Sequence, residues 1–485
     1  MNLHCEMLID GHFVGGPCDQ SIGKLVVRAP FDGAIVGTAA EGGWNEANAA
    51  LQAATDAFDT WRWSTSSERS ALLRGIAALV RERASELEVL LTLEVGKPIT
   101  WSKGEVARLA LTLDLAADLC EGYGVREVDL SYDPRGAEYS ARVERFPVGP
   151  VLGIVPYNWP LNLAAHKVAP ALAVGCTIVL KASSQAPLST LALGRLIHEA
   201  GCPPGVVNTV VCPSSIAEKM VLDSRVAKVS FTGSPEVGWA LKERLPRKKV
   251  TLELGGDASA LVMPDADLEW ATKRIIAGKF GYAGQICISV QHARVHEDVY
   301  DQMWARLTEA TEQCPSGDPM DPKVVTGPLI SDAAADRVME WISEAVAGGA
   351  KLLAGGTRSG RVVAPTLLEN VPPNSKLGCE EVFGPVLTLS RFSSLDQAIE
   401  DVNSSRYGIH CGVFTRDLLI AEQCFRELEV GGVVIDDYPT LRFDALPYGG
   451  VKESGFGREG VAYAMDEMTE PKSLVRRTRP PADAF

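Results

Sequence analysis

Eleven cysteines stand at positions 5, 18, 120, 176, 202, 212, 287, 314, 379, 411 and 424, and one of them differs from the rest in its surroundings. Cys287 lies in Tyr282-Ala283-Gly284-Gln285-Ile286-Cys287-Ile288-Ser289, where small and polar residues precede the thiol. Cys176 and Cys411 sit instead in Val-Gly-Cys-Thr-Ile-Val and His-Cys-Gly-Val-Phe, where a thiol packs as a small hydrophobe. A free thiol of pKa about 8.5 is a few per cent thiolate at neutral pH and already a strong nucleophile. Upstream, Glu253 ends an apolar run in Leu252-Glu253-Leu254-Gly255-Gly256, whose two glycines permit close backbone approach. A carboxylate within reach of Cys287 would serve as base for a water or for the thiol. Spacing alone leaves open whether the two meet in space. The odd count and the lack of a C-x-x-C pair argue against a disulfide framework or a zinc knuckle, and no residue is assigned to a metal.

A second chemical signal is Phe231-Thr232-Gly233-Ser234-Pro235-Glu236-Val237-Gly238. It reads as a strand ending in glycine, followed by a helix with Ser234 at the N-cap, Pro235 at the first position and Glu236 in the first turn. Such an N-terminus can hold a phosphate through backbone N–H groups, or can simply be a well-capped crossover helix. The literal G-x-G-x-x-G, Gly455-Phe-Gly457-Arg-Glu-Gly460, has no βαβ unit after it and fails as a dinucleotide fingerprint.

These residues need a scaffold. With 485 residues, 46% hydrophobic and 22% charged, the chain has material for roughly three domains. The balance of 47 basic against 62 acidic residues, net −15, offers no basic face for nucleic acid. The most apolar stretch, Leu161 to Leu180, is interrupted by His166, Lys167 and Pro170, so no membrane span is expected. The N-terminus lacks a basic region followed by an apolar one, and a cytoplasmic protein is the expectation.

From Trp44 to Glu121 the apolar spacing is helical, as in Leu72, Leu73, Ile76, Leu79 and Val80. Val128, Leu130 and Tyr132 then alternate with polar residues. The turn Asp133-Pro134-Arg135-Gly136 follows, and Tyr139, Ala141 and Val143 alternate again, which predicts a β-hairpin. A lone ribbon of this kind should pack on something else, such as another subunit. From Gly149 strands and helices alternate: 151–155, 177–180, 206–211 and 226–231 read as buried strands. This ordering predicts a parallel sheet with a nucleotide-type crevice at its carboxyl ends. A second α/β series follows the Gly255-Gly256 pair, with strands at 260–263, 291–296 and 433–435 and a helix over 332–347.

Seven strings taken in order carry a resemblance. They are Pro156-Tyr157-Asn158-Trp159-Pro160-Leu161, Lys181-Ala182-Ser183-Ser184, Phe231-Thr232-Gly233-Ser234, Leu252-Glu253-Leu254-Gly255-Gly256, Gly284-Gln285-Ile286-Cys287, Glu381-Val382-Phe383-Gly384-Pro385 and Pro447-Tyr448-Gly449-Gly450. Together the chain resembles the aldehyde dehydrogenase superfamily, in its non-acylating type and its lactaldehyde dehydrogenase-like members, over nearly its whole length. The resemblance implies a Rossmann-type parallel-sheet cofactor domain (1–122 and 147–254), an α/β catalytic domain (255–462) and a small β oligomerisation arm (123–146 and 463–485). It implies that Cys287 attacks an aldehyde carbonyl while the Asn158 side chain and the Cys287 backbone N–H hold the oxyanion, one such donor being worth ~3–4 kcal/mol. Hydride transfer to a nicotinamide would leave a thioester, which water activated by Glu253 would hydrolyse.

The same resemblance assigns Pro156, Tyr157, Lys181, Ser183, Ser184, Gly233, Ser234, Leu254, Glu381 and Phe383 to the cofactor. It assigns Arg108, Trp159, Ile286, Ile288, Arg442 and Tyr448 to the substrate, implies a homodimer or homotetramer, and points to a small polar or anionic aldehyde. Arg442 reads equally well as a structural salt bridge with Asp444. Many NAD-dependent members carry Glu where this chain has Ser184. The missing carboxylate predicts that NADP is accepted, with NAD as the alternative. Two rival functions remain at this stage: a CoA-acylating enzyme, against which Glu253 argues, and a non-catalytic nucleotide-binding member, against which Cys287, Asn158 and Glu253 together argue.

Overall fold

A computed structural model describes residues 3–478. The expected arm residues 479–485 lie outside the described residues. After short strands between Leu3 and Glu41 come four helices: α1 (Trp44–Trp61), α2 (Ser66–Glu82), α3 (Ala84–Val95) and α4 (Ile99–Leu119). In α2, Thr65 and Glu68 form a reciprocal capping box, and Leu72, Leu73, Ile76 and Val80 are buried, as the spacing predicts.

The next segment builds a parallel sheet from β1 (Val151–Ile154), β2 (Ile178–Lys181), β3 (Val207–Val210), β4 (Lys228–Thr232) and β5 (Lys249–Glu253). Their spatial order is β5-β4-β1-β2-β3, with antiparallel strands Gly455–Phe456 and Met7–Ile9 added at the two edges. Helices α5 (Pro160–Val174), α6 (Pro187–Glu199), α7 (Ser214–Leu222) and α8 (Pro235–Glu243) connect the strands. The chain proceeds from β1 to β2 and β3 on one side, then returns to β4 and β5 on the other. The carboxyl ends of β1 and β4 therefore flank the crevice that such a reversal creates.

Helix α9 (Leu268–Phe280) belongs to a second sheet. Its strands are β6 (Ser259–Val262), β7 (His292–His296), β8 (Lys351–Ala354), β9 (Thr366–Glu369), β10 (Val386–Phe392), β11 (His410–Phe414) and β12 (Gly432–Ile435). The order is β8-β9-β10-β7-β6-β11-β12, parallel except for the β8 edge. The helix expected over 332–347 is found there. Between the sheets, Val95, Tyr282, Ile286, Ile288, Ile409 and Tyr448 form a small apolar cluster against which Trp101, Tyr157, Trp159 and Cys287 pack.

The expected hairpin is shorter than its alternation suggests. Val125–Val128 pairs with Tyr139–Pro147, and residues 129–133 leave the ladder. The cause is local: the Asp129 carboxylate accepts from both the N–H and the hydroxyl of Ser131, which turns the backbone away from its partner. Thr469–Arg477 adds a third strand along the whole of Tyr139–Pro147.

One buried ion pair ties the helical layer to the first sheet. Lys97 and Glu105 are paired with no exposed side-chain surface. The Lys97 ammonium lies 3.8 Å from the Trp159 ring and 4.7 Å from that of Tyr282. The other Glu105 oxygen accepts from the Leu161 and Asn162 N–H groups (2.9 and 3.1 Å) at the start of α5. Lys97→Met should therefore cost about 3–5 kcal/mol by leaving a buried carboxylate without its counter-charge. Urea unfolding of the two proteins measures this; equal midpoints would show the pair to be dispensable.

Candidate active site

Cys287 follows a tight turn in which Tyr282, Ala283 and Gly284 all have left-handed φ (51°, 53° and 68°). Gly284 is required there twice over, because a Cβ would stand 2.4 Å from the Gly384 carbonyl oxygen. Gln285 anchors the turn from below: its amide oxygen accepts from Ile330 N–H (3.0 Å), and its backbone carbonyl accepts from Asn158 Nδ2 (2.9 Å). Asn158 Oδ1 accepts from Trp159 N–H (3.1 Å), so the amide is fixed in orientation with one Nδ2 hydrogen uncommitted beside the nucleophile loop. A Cβ on Gly256 would sit 2.8 Å from the Cys287 carbonyl oxygen, which is the close approach that the glycine pair permits. Burial pushes the Cys287 thiol up to about 12, opposed by its contact with Tyr448, whose hydroxyl oxygen is 3.0 Å from Sγ.

Glu253 closes β5 with both carboxylate oxygens buried and unpartnered. Its Oε1 lies 2.8 Å from where a Cβ on Gly449 would be, next to Tyr448. Burial, and then the nearby charge of Glu459, raise Glu253 well above the ordinary carboxylate range. Glu459 itself accepts from Lys167 (2.9 Å) and from Arg442 (3.4 Å). Burial would raise it, but Lys167 and then Arg442 hold it at about 2. Two buried carboxylates thus have opposite shifts, because the two cations are committed to Glu459 and Glu253 has no partner.

In the crevice, Lys181 ends β2 nearly buried, and burial lowers its pKa. Ser184 is exposed beyond it, and Ser183 Oγ accepts from Gln185 N–H (3.2 Å). Ser234 caps α8 by accepting from Val237 N–H, and Gly238 is packed tightly on Leu254. Gly233 and Pro156 close β4 and β1 at the same ends. From the second sheet comes Glu381, which accepts from Gly256 N–H (3.1 Å) and is pushed up to about 8 by burial. Phe383, with φ 42°, meets the Tyr157 ring edge-on at 6.2 Å. A buried cation on one side, a buried carboxylate on the other and a helix N-terminus between them fit a nicotinamide dinucleotide.

The aldehyde dehydrogenase family model matches residues 18–474. The chain belongs to the aldehyde dehydrogenase family. It is 38% identical over 466 residues to 3-sulfolactaldehyde dehydrogenase of Priestia aryabhattai, covering 96% of this chain and 97% of that one. It is 36% identical over 476 residues to the NADP(+) succinate-semialdehyde dehydrogenase of Escherichia coli, covering 97% of each. Aldehyde dehydrogenase 21 of Physcomitrella patens, solved with the product succinate, superposes with a TM-score of 0.95 at 37% identity over 99% of both chains. The enzyme is thus an NAD(P)-dependent aldehyde dehydrogenase.

The arginines expected at the substrate are placed differently from each other. Arg108 lines a cavity of about 270 Å³ together with Thr100, Trp101, Gly104 and Trp159. Arg442, expected at the same wall, lies behind it with a side chain only 6% exposed. Its guanidinium faces Glu459, Asp444 (3.5 Å) and the Tyr448 ring, because two buried carboxylates draw it inward. The salt-bridge alternative for Arg442 is the arrangement observed. Ile286 and Ile288 flank Cys287 in the apolar cluster with Tyr448.

Sequence reading missed Glu459, Lys167, Asp444 and His166 as members of the site. The signal was available: His166 and Lys167 interrupt an apolar helix, and a cation buried there demands an anion. Glu459 is that anion for Lys167 (2.9 Å), while Asp444 accepts from His166 (3.0 Å), an imidazole that burial lowers to about 4, from Thr112 (2.8 Å) and from Arg108 (Nε at 3.0 and 3.1 Å). Burial opposes its ionisation, but His166 and Arg108 hold it far below the usual range. A depressed folded-state pKa contributes stability above the unfolded value of about 3.9, and this is lost as pH falls below it. Asp444→Asn should cost about 3–5 kcal/mol at pH 7, and the gap to the native enzyme should narrow below about pH 4. Denaturant melts at pH 7 and pH 3.5 read both; a constant gap would contradict the ionic account.

Proposed function

We propose that the enzyme oxidises a small polar or anionic aldehyde to its acid, with Cys287 as nucleophile, Asn158 as oxyanion donor and Glu253 as hydrolytic base. The observation that carries this reading is the fixed Asn158 amide beside the Cys287 loop, together with a buried, unpartnered Glu253 carboxylate one residue from the Tyr448 contact. Cys287 sulfur adds to the carbonyl carbon, and the carbonyl electron pair moves to oxygen, where the free Asn158 N–H and the Cys287 backbone N–H hold the charge. A nicotinamide dinucleotide held in the crevice by Lys181, Ser234 and Glu381 would supply the hydride acceptor that takes the thiohemiacetal to the thioester. The resulting thioester is attacked by a water whose proton Glu253 takes, and the C–S bond breaks to release the acid and restore the thiol. The raised pKa of Glu253 makes its carboxylate a stronger base toward that proton.

Arg108 and the tryptophans of the entrance cavity support a polar or anionic substrate, as do relatives named for sulfolactaldehyde and succinate semialdehyde. Lys181 would meet the adenine-side ribose, Ser234 the pyrophosphate and Glu381 the nicotinamide ribose. Ser184 leaves room for a 2′-phosphate. The division into a cofactor domain (1–122, 147–254), a catalytic domain (255–462) and an arm (123–146, 463–485) follows the two sheets and the three-stranded ribbon. Val125, Tyr139, Leu474 and Val475 are exposed on that ribbon, and β12 is an open edge, which supports self-assembly into a dimer or tetramer. Eleven free thiols support a reducing, cytoplasmic setting, and among the described residues no helix is long and apolar enough to cross a membrane.

The test is an aldehyde panel assayed with NAD and NADP, with and without CoA, on the native enzyme and Glu253→Gln. The native enzyme should release free acid without CoA. Glu253→Gln should give a burst of about one NAD(P)H per active site followed by turnover roughly 10²- to 10⁴-fold slower. An undiminished steady state in the variant, or acid release that requires CoA, would refute the reading. Ser184→Glu should reduce kcat/KM for NADP by roughly a hundredfold through like-charge repulsion while NAD is retained. An NADP rate unaffected by that carboxylate would remove Ser184 from cofactor selection.

A further inference from the structure

Tyr448 has a polar contact that a pocket-lining aromatic does not need. Its hydroxyl is 3.0 Å from Cys287 Sγ, and the ring is buried. Main-chain bonds in both directions with Glu459 (2.9 and 2.7 Å) fix the residue, so the contact does not depend on a mobile loop. His410 packs edge-on against the ring at 5.3 Å, while the Arg442 guanidinium stacks on it at 3.6 Å from the centroid. A cation on the face of a phenol withdraws electron density and makes its O–H a better donor.

We propose that the Tyr448 hydroxyl is the hydrogen-bond donor that holds Cys287 as an aimed thiolate, with Arg442 on the ring strengthening that donor. This deepens the reading of Cys287 as nucleophile and rests on it. The direction of the bond follows from chemistry. Burial and the charge of the thiolate keep the Tyr448 phenol protonated far beyond its usual range, so it cannot act as the base. The thiol proton leaves to solvent, Tyr448 keeps its own, and the sulfur lone pair is free to form the C–S bond. The other titratable groups facing the sulfur are Glu381 and Glu253, whose ionised forms disfavour the thiolate, and Arg442, which favours it. Tyr448 is therefore the one uncharged group in this set that offsets the two carboxylates by direct contact.

The experiment is iodoacetamide alkylation of Cys287 in the full-length enzyme, followed on the Cys287 peptide by mass spectrometry across pH 7–9. Exposed Cys18 and Cys379 then do not contribute. It needs no aldehyde, so it reads the proposal even if the substrate assignment fails. A hydrogen bond to a charged group shifts ionisation by roughly one to two units, partly offset by the higher nucleophilicity of a more basic thiolate. Tyr448→Phe should slow alkylation roughly three- to tenfold and lower kcat in the same sense. If Tyr448 only lines the aldehyde pocket, the variant will raise KM and leave alkylation unchanged, and the proposal falls. Should the variant fold poorly, replacing tyrosine with the more acidic 3-fluorotyrosine strengthens the donor and should speed alkylation. No change there would overturn the proposal as well.

Discussion

The pocket is built around the buried negative charge of Glu459. Taking a carboxylate out of water costs several kcal/mol even after relaxation, and partners must repay it with good geometry. Lys167 supplies one bond from α5 and is itself held by Ser230 and Thr232 of β4, at 3.1 and 2.8 Å. Arg442 supplies the other from the loop before Tyr448 and continues to Asp444, which reaches Arg108 and Thr112 on α4. One chain of alternating charges thus joins the helical layer, both centres of the crevice and the C-terminal loop. Removing a member leaves its neighbour charged and unpaired, so the network acts as a unit.

That arrangement sets the electrostatics of the chemistry beside it. Glu459 stays ionised because two cations are committed to it, and its charge is then one reason that Glu253 does not ionise readily. Arg442 works in the opposite sense on Glu253 and on the Cys287 thiol, from behind the Tyr448 ring. The nucleophile is held against backbone strain. Tyr282 and Ala283 adopt left-handed φ, a conformation costing of order 1–3 kcal/mol per residue, and persist because their surroundings leave no alternative. Tyr282 is wholly buried with its hydroxyl on the Val95 carbonyl (3.4 Å), and Gln285 is bonded on both ends of its amide. This strain presents Cys287 at a fixed depth.

The sequence made the elements around the crevice legible because their signals are local. β1, β2, β3 and β4 are short apolar runs bounded by helices, and the cap on α8 is spelled by Ser234-Pro235-Glu236. Cys287 was legible through its polar neighbours, and seven ordered strings carried the family. The ionic network was legible only at Lys167, which interrupts an apolar helix; Asp444 and Glu459 are far from it in the chain, and each looks like an ordinary surface charge. The glycines of the Gly455–Gly460 segment serve the fold: Gly460 has φ 92° and abuts the Leu446 carbonyl beside Glu459. For Arg442 the sequence offers both a substrate contact and a salt bridge with Asp444, two residues on; the second carboxylate, Glu459, has no local signal.

On the proposed function, the same network bears on how an acidic protein would receive a polar or anionic aldehyde. With a net charge of −15 there is no long-range attraction for an anion, so selectivity depends on donors at the entrance. Arg108 is the cation lining that cavity, but Asp444 neutralises much of its charge. Its geometry keeps it useful. Asp444 takes the edge of the guanidinium formed by Nε and Nη2, and the fork has five N–H donors in a fixed plane. The Nη1 edge is left to donate to a partner, and Asp444 holds it in place without the entropy cost of freezing a long free side chain. A paired arginine of this kind recognises shape and hydrogen-bond pattern more than charge. It therefore suits an aldehyde carrying hydroxyl or oxyanion oxygens at a set distance from the carbon that Cys287 attacks.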